Sequence, residues 1–493
     1  MSTGADTSKK HGPLIFANPR VKRVVGILMV FAHVLGLLAS VDAVMKNRTA
    51  QGAIAWAVSL NAFPYAMVPI YAVFGRQRFE GWVDVRRDHE EDIDELVATL
   101  EPKLEPFALV TADRVPDYDG LIALSGTPFL GGNEVTLLVD GEETFDSIID
   151  GIERAEDYVL VEFYIVHDDG LGNRLKNTLI ERARGGVDVF FLFDGLGSRR
   201  LPPSYRGALT SAGVQLSPFN STLGPRNRFQ LNFRNHRKIA VIDGKEAWIG
   251  GHNVGDEYLG LDPDIGPWRD THVRVEGPAA LIAQATFLAD WLWATRTLAD
   301  VEWEPHPSAT GDVPVMILST GPADDYERAQ LFFVHALNAA QDRIWIATPY
   351  FVPDPAVSAA LRMAALRGVD VRIIVPDRSD NIVVDLAARW FILDLDGLGI
   401  RFYRYQEGFM HQKVLLVDNL LAMVGSANFD NRSFRLQFEA NALIADETFA
   451  TEVATMLGAD LERSRSFDPA ELNSRSFLFR LAVHGARLTA PLL

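Results

Sequence analysis

Two stretches near the start of the chain carry no charge. Val24–Val41 runs for 18 residues and Ala53–Phe74 for 22. As helices, each is long enough to cross a hydrocarbon core of roughly 30 Å. The pattern predicts transmembrane helices over about 24–44 and 53–74, joined by the short 45–52 connector into a hairpin, within a membrane anchor spanning 1–80. Lys9, Lys10, Arg20, Lys22 and Arg23 precede the hairpin, Lys46 and Arg48 lie in the connector, and Arg76, Arg78, Arg86 and Arg87 follow. The cationic excess on the outer flanks places both ends in the cytoplasm. The rival reading is a signal peptide cleaved near Val41-Asp42-Ala43, and the second apolar span argues against it. Pro64 and Pro69 predict kinks that membrane helices tolerate. His33, mid-span, predicts a helix-packing hydrogen bond.

Beyond residue 80 the pattern changes. Asp88–Glu101 is acidic and predicts a short solvated helix. The pieces Val115-Pro116-Asp117 and Gly126-Thr127-Pro128 are rich in turn formers. We read 81–133 as a linker docked on the half that follows it. From 134 to 311, buried strand patterns at Val135–Val139, Tyr158–Ile165 and Val187–Phe193 alternate with helical patterns at Glu143–Ala155 and Leu171–Arg184. From 312 to 493 the rhythm recurs, with strands at Val313–Leu318, Arg343–Ala347 and Val369–Val375, and helices at Asp325–Ala340, Pro355–Arg367 and Ile382–Leu395. Arg-Gly-Gly-Val-Asp-Val at 184–189 and Arg-Gly-Val-Asp-Val at 367–371 point to internal duplication. The expected fold is α/β, with two tandem domains of mixed sheet flanked by helices.

Candidate chemistry recurs at one spacing in both halves. His236, Lys238, Asp243, Gly250 and Asn253 are matched by His411, Lys413, Asp418, Gly425 and Asn428. In each copy Lys, Asp, Gly and Asn follow the His by 2, 7, 14 and 17 positions. A short apolar run between Lys and Asp predicts a buried strand, and residues two apart on a strand share a face, so His and Lys project together. Asp243 and Asp418 fall on the opposite parity at turn dipeptides, and we read them as turn-fixing groups. The returning strands, Ala247–Ile249 and Leu421–Val424, bring small residues and Asn back beside the His/Lys end. Two imidazoles, two ammonium groups and two carboxamides around one cavity suit a phosphodiester: one His can attack phosphorus while the other protonates the leaving alcohol. Lys and Asn would hold the non-bridging oxygens.

These residues make the chain resemble the phospholipase D superfamily, whose pattern is His-x-Lys-x4-Asp with a later Gly-Ser-x-Asn, and within it the bacterial cardiolipin synthases. The supporting text is at 232–260, 267–279, 348–354 and 411–439. The resemblance implies two phospholipase D-like domains forming one active site. It counts His236, Lys238, Asp243, His411, Lys413 and Asp418 as the catalytic set, and Asn253, Asn428 and Ser426 as phosphate-binding or supporting groups. Asp270 matches the carboxylate expected behind His236, with a surface ion pair to Arg269 as its alternative role, and Glu439 the one behind His411. Gly251 stands where the second motif has Ser426, and His252 where a Met is common. The implied reaction joins two phosphatidylglycerols into cardiolipin and glycerol through a phosphatidyl-histidine. His236 is the nucleophile by analogy, a choice the symmetry of the motifs leaves open. No metal or cofactor is required.

Composition adds limits. There is no cysteine, which removes disulfides and thiolate metal sites. The net charge of −18 disfavours nucleic acid as partner. Expected partners are membrane phospholipids and the bilayer, with the chain as a multi-pass inner-membrane protein and its α/β domains in the cytoplasm. Hydrolysis of the same lipids is the rival activity, a nuclease is less favoured, and a non-catalytic membrane scaffold would predict decayed motifs.

Overall fold

The computed structural model describes residues 19–109, 119–222 and 229–492. The expected turn at Val115-Pro116-Asp117 and the cations Lys9 and Lys10 lie outside them. The chain divides into a small unit ending at Gln77, which also takes in a short segment before Phe233, and a large unit holding the rest.

In the small unit, Pro19–Lys46 is a single helix of 28 residues, long and apolar enough to cross a membrane. The second apolar stretch is helical but broken. Ala50–Ala62 and Pro64–Phe74 meet at Phe63, whose φ of −137° and ψ of 58° leave the helical region. Pro64 causes the break, because its ring restricts the residue before it and opens the next helix at a position that needs no N–H donor. Neither piece alone reaches spanning length. The two pieces fold back along the first helix: Tyr71 donates to Asp42 at 2.9 Å and Asn61 to Ser40 at 2.8 Å. Gly36 allows the close approach, since a Cβ there would lie 2.4 Å from the Leu60 carbonyl.

The large unit is built on a mixed sheet of 16 strands among the described residues. Its two halves repeat one order. In the first half, Thr271–Glu276, Glu246–Gly250, Ile239–Ile242, Tyr158–Phe163, Asp188–Asp194 and Gln215–Phe219 lie side by side. In the second, Gln437–Ala445, Leu421–Gly425, Val414–Val417, Arg343–Ala347, Asp370–Pro376 and Arg401–Tyr405 do the same. Leu130–Val139 and Val313–Thr320 pair antiparallel at the centre and make one continuous sheet. The motif strands Ile239–Ile242 and Val414–Val417 are buried throughout, which is why their sequence reads apolar without alternation. Helices Ala280–Thr295 and Glu447–Glu462 cover one face in a core shared by the halves. The other helices build one further core in each half.

The linker differs from expectation. It forms helices Glu80–Asp88, Glu90–Leu104 and Asp119–Ser125, and it docks on both halves, not only on the first. Trp82 packs on Phe438 of the second half, and Leu100 and Leu104 join the core shared by both halves, as does Phe79 just before the linker, against Phe233, Trp293 and Phe438. Leu121 is buried among Phe332, Phe333 and Leu337 of the second. The shared core presents apolar surface from both halves, and the linker's apolar positions follow that surface.

Candidate active site

The two motif strands end where the halves meet, and their histidines lie together there. Both His236 and His411 are buried, with side chains 8% and 9% exposed. Each ring is held at Nδ1 by a carboxylate from the opposite half. His411 Nδ1 lies 2.7 Å from Asp270 Oδ2. His236 Nδ1 lies 3.0 Å from Glu439 Oε2 and 3.2 Å from Oε1. This corrects the pairing inferred from sequence, in which Asp270 stood behind His236 and Glu439 behind His411. The physical reason is the strand pairing across the junction. Arg234–Asn235 runs parallel to the start of Gln437–Ala445, so the residue after Asn235 meets Glu439, and the His236 N–H donates to the Phe438 carbonyl. In the same way Phe409–Met410 runs parallel to Trp268–Arg269, and the His411 N–H donates to the Arg269 carbonyl.

The carboxylate at Nδ1 fixes the tautomer, with the proton on Nδ1 and the lone pair on Nε2. Burial lowers His236 to about 4, the attraction of Glu439 opposing this and Lys238 adding to it. Burial, with Lys413, lowers His411 to about 3 against the pull of Asp270. Both rings are therefore neutral at physiological pH with no substrate bound. Burial works to raise Asp270, but Lys413, His252 and His411 hold it well below the usual carboxylate range. Glu439 is held low likewise, by His236 and Lys238 against burial.

Lys238 and Lys413 are fully buried. Lys238 donates to the His236 carbonyl at 2.6 Å and stands over the Tyr164 ring. Lys413 lies 2.8 Å from Nδ1 and 3.0 Å from Nε2 of His411 and donates to its carbonyl. Burial lowers Lys413 to about 8, with Asp270 and Glu439 opposing the shift. Burial also lowers Lys238, well below its ordinary value. Each lysine perturbs the imidazole of the other half, so the four groups form one electrostatic unit.

The remaining sequence candidates fall in two places. Ser426 donates to Glu439 at 2.6 Å and accepts from the Ala440 N–H at 2.9 Å. Gly251, its counterpart, has no room for a side chain: a Cβ would lie 2.0 Å from Asp270 Oδ1. Asn428 sits beside the site with its Oδ1 buried and unpartnered. Asn253 is more occupied than expected, accepting from the Ile165 N–H and donating to the Tyr258 hydroxyl. Asp243 and Asp418, grouped with the catalytic set by resemblance, lie at the far strand ends, roughly 20 Å along the chain from their histidines at about 3.3 Å per residue. Each takes the left-handed backbone of its turn, at φ 52° and 54°. Asp243 accepts from the N–H groups of Glu156, Asp157 and Tyr158, and Asp418 from those of Gln341, Asp342 and Arg343. They clamp the neighbouring strand, as their parity indicates, and do not touch the histidines.

Other groups complete the surroundings of the two histidines. Ser433 donates to Glu439 at 2.7 Å. Tyr164 meets the His236 ring edge-on at 5.1 Å, while Trp268, Phe409 and Tyr258 surround His411. Arg237 and Gln412, between the His and Lys of each motif, fall on the opposite face of the strand and point away from the site. Arg237 pairs with buried Asp290, and Gln412 donates to Asp460, itself paired with Arg269. Trp268 falls within the 267–279 stretch and Ser433 within 411–439, both of which carry the resemblance; their places beside the histidines follow from the fold.

Among known families, the description "Cardiolipin synthase, PLD-like domain" matches residues 333–461. The chain is 47% identical over 471 residues to cardiolipin synthase A of Pseudomonas aeruginosa strain PAO1, covering 95% of this chain and 96% of that one. It is 46% identical to cardiolipin synthase A of Pseudomonas fluorescens strain Pf-5, over 95% of this chain and 98% of that one. The crystal structure of phosphatidylserine synthase from Haemophilus influenzae Rd KW20 superimposes with a TM-score of 0.60 at 15% identity, over 76% of this chain and all of that one, which shows a shared fold. The chain belongs to the cardiolipin synthase family of the phospholipase D superfamily.

Proposed function

We propose that this chain transfers a phosphatidyl group between two phosphatidylglycerol molecules, giving cardiolipin and glycerol. The observation that carries this reading is the pair of buried neutral imidazoles, each with Nδ1 tied to a carboxylate and each beside a buried ammonium. One lone pair attacks phosphorus; the other ring carries a proton to the departing oxygen. In this reading His236 Nε2 attacks the first lipid, the bond from phosphorus to the glycerol oxygen breaks, and His411, protonated as the phosphodiester anion enters, gives that oxygen its proton. The product is a phosphatidyl-histidine whose Nδ1–H is held by Glu439. The terminal hydroxyl of the second lipid's headgroup then attacks phosphorus, His411 takes back its proton, and the phosphorus–nitrogen bond breaks. Lys238 and Lys413 hold the non-bridging oxygens and stabilise their charge in the transition state, with Asn428 and one free N–H of Asn253 as further donors.

The same reading makes the first 80 residues a two-pass anchor in the inner membrane with the large unit in the cytoplasm. The broken second segment would span as a kinked pair of helices. Anchoring would raise the local concentration of both lipids at the site.

The test incubates the full-length protein with phosphatidylglycerol vesicles and follows lipid products. Cardiolipin with an equal amount of glycerol, lost in His236→Ala and in His411→Ala, is the expected result. Phosphatidic acid without cardiolipin would replace transfer by hydrolysis.

A further inference from the structure

The last α-helix among the described residues, Phe477–Ala486, has two apolar faces, and only one has a partner among them. Phe479, Val483, Ala486 and Ala490 are half-buried or buried and recur at intervals of four, three and four residues. This narrow stripe seats the helix on Ile382–Leu395, and Arg487 stacks on Trp390 of that helix at 3.9 Å. At 100° per residue, Phe477, Leu478 and Leu481 lie within about 100° of one another and away from that stripe. They are 69%, 74% and 55% exposed, and Leu488 just beyond is 80% exposed. Four large apolar side chains crowded on so short an element are not the scattered apolar residues of an ordinary surface.

The charge around this face is equally uneven. The protein carries 65 acidic residues and a net charge of −18, yet no acid follows Glu471. Over the same residues it has Arg475, Arg480, Arg487 and His484. Arg480, His484 and Arg487 lie together along one edge of the exposed apolar face. An apolar face rimmed by arginines, at the end of a strongly acidic chain, has the makeup of a helix lying in the headgroup region of an anionic bilayer.

We propose that Phe477–Ala486 is a second membrane contact, an interfacial helix that lays Phe477, Leu478, Leu481 and Leu488 into the surface of an anionic lipid bilayer. The contact belongs to the large unit itself and does not depend on the apolar N-terminal helix. A basic rim selects anionic over zwitterionic lipid, so the large unit would rest where its anionic lipid substrates are concentrated.

The absence of native cysteine permits a direct test on the full chain. Leu481→Cys carries an environment-sensitive fluorophore, and the protein is reconstituted in vesicles containing phosphatidylglycerol. Glu153→Cys, an exposed helical position of the first half, serves as control. The expected result is a blue-shifted emission at position 481, quenched by nitroxide groups placed shallowly on the acyl chains, with neither effect at 153. The docked fraction should fall when zwitterionic lipid replaces phosphatidylglycerol, and the docking equilibrium should weaken roughly fivefold with Arg480→Gln, at about 1 kcal/mol per cation at an anionic surface. Emission at 481 that stays water-like in these vesicles would overturn the proposal. So would a blue shift that lipid nitroxides do not quench and that rises with protein density, since a second copy of the chain would then cover the face.

Discussion

Replacing Asp270 by Asn should cost about a thousandfold in turnover, and Glu439→Gln should cost a similar factor. In the proposed reaction the imidazolium or phosphorylated ring carries a positive charge within 2.7 Å of Asp270 or 3.0 Å of Glu439, both fully buried. Two unit charges about 4 Å apart at an effective dielectric near 20 attract by about 4 kcal/mol. An amide of the same shape removes that attraction, and 4 kcal/mol on a barrier is about three orders of magnitude. The amide can also turn an N–H toward the ring and disturb the tautomer, which for a carboxylate–histidine pair elsewhere costs about 10⁴. The rate is measured as cardiolipin formed from phosphatidylglycerol vesicles. The pairing is measured separately, from the Nδ1–H resonances of ¹⁵N-histidine-labelled protein, assigned by their loss in His236→Gln and His411→Gln. Asp270→Asn should move the His411 resonance and leave His236 in place, and Glu439→Gln should do the reverse. If Asp270→Asn moved His236 alone, the crossed pairing would be wrong. If both variants kept a tenth or more of the activity, the charge argument would fail.

Gly251→Ser should lower turnover at least a hundredfold, because its Cβ would meet Asp270 Oδ1 at 2.0 Å. Ser426→Ala, which removes one of several bonds to Glu439, should cost about tenfold; equal effects in the same lipid assay would refute the asymmetry. Asp243→Ala and Asp418→Ala each strip an acceptor from three backbone N–H groups. They should lower stability by about 3 kcal/mol in denaturant titrations while kcat/KM of the folded fraction stays within a few fold. Lys413 acts as an ammonium group lowered to about 8, so kcat/KM should fall as pH rises through that value. Lys413→Arg, which keeps its charge, should flatten that limb, and an unchanged limb would point to another group. His252 is fully buried, has an unpartnered Nε2 and is lowered to about 4 by burial. Between pH 6.5 and 4 the unfolded chain therefore binds a proton that the folded chain refuses. Its contribution is complete above pH 6.5 and is lost as pH falls. His252→Met should reduce the stability lost between pH 7.5 and 5 by about 1–2 kcal/mol, read from unfolding midpoints at the two values.

Much of the α/β architecture was legible because its strands are buried on both faces. Val414–Val417 and Ile239–Ile242 show it in four consecutive apolar residues between polar ends. The helical pattern at Pro355–Arg367 is a helix over Pro355–Leu366, opened by Asp354 as N-cap with Pro at its first position. The parity of Asp243 and Asp418 indicated their turn-fixing place directly, since position along a strand determines face. The second apolar stretch breaks at Pro64, one of the two prolines whose kinks the sequence indicated, while Pro69 lies inside a helix. The linker misled because its partners are set by tertiary surfaces with no counterpart in its local pattern.

The carboxylates failed for a deeper reason. The resemblance implied that Asp270 supports His236 and Glu439 supports His411, each within its own half. Yet a strand pair can join any two segments, and here two short parallel pairs exchange segments between halves: Arg234–Asn235 with Gln437–Phe438, and Trp268–Arg269 with Phe409–Met410. Each half then brings a histidine and a lysine of its own and lends a carboxylate to the other. Neither imidazole is oriented until the halves have met, so duplication of the fold has produced one site and not two. The small difference between the motifs follows from the same exchange. Glu439 accepts a hydrogen bond from the Ser426 hydroxyl at 2.6 Å, whereas Asp270 is pressed against residue 251, where only glycine fits.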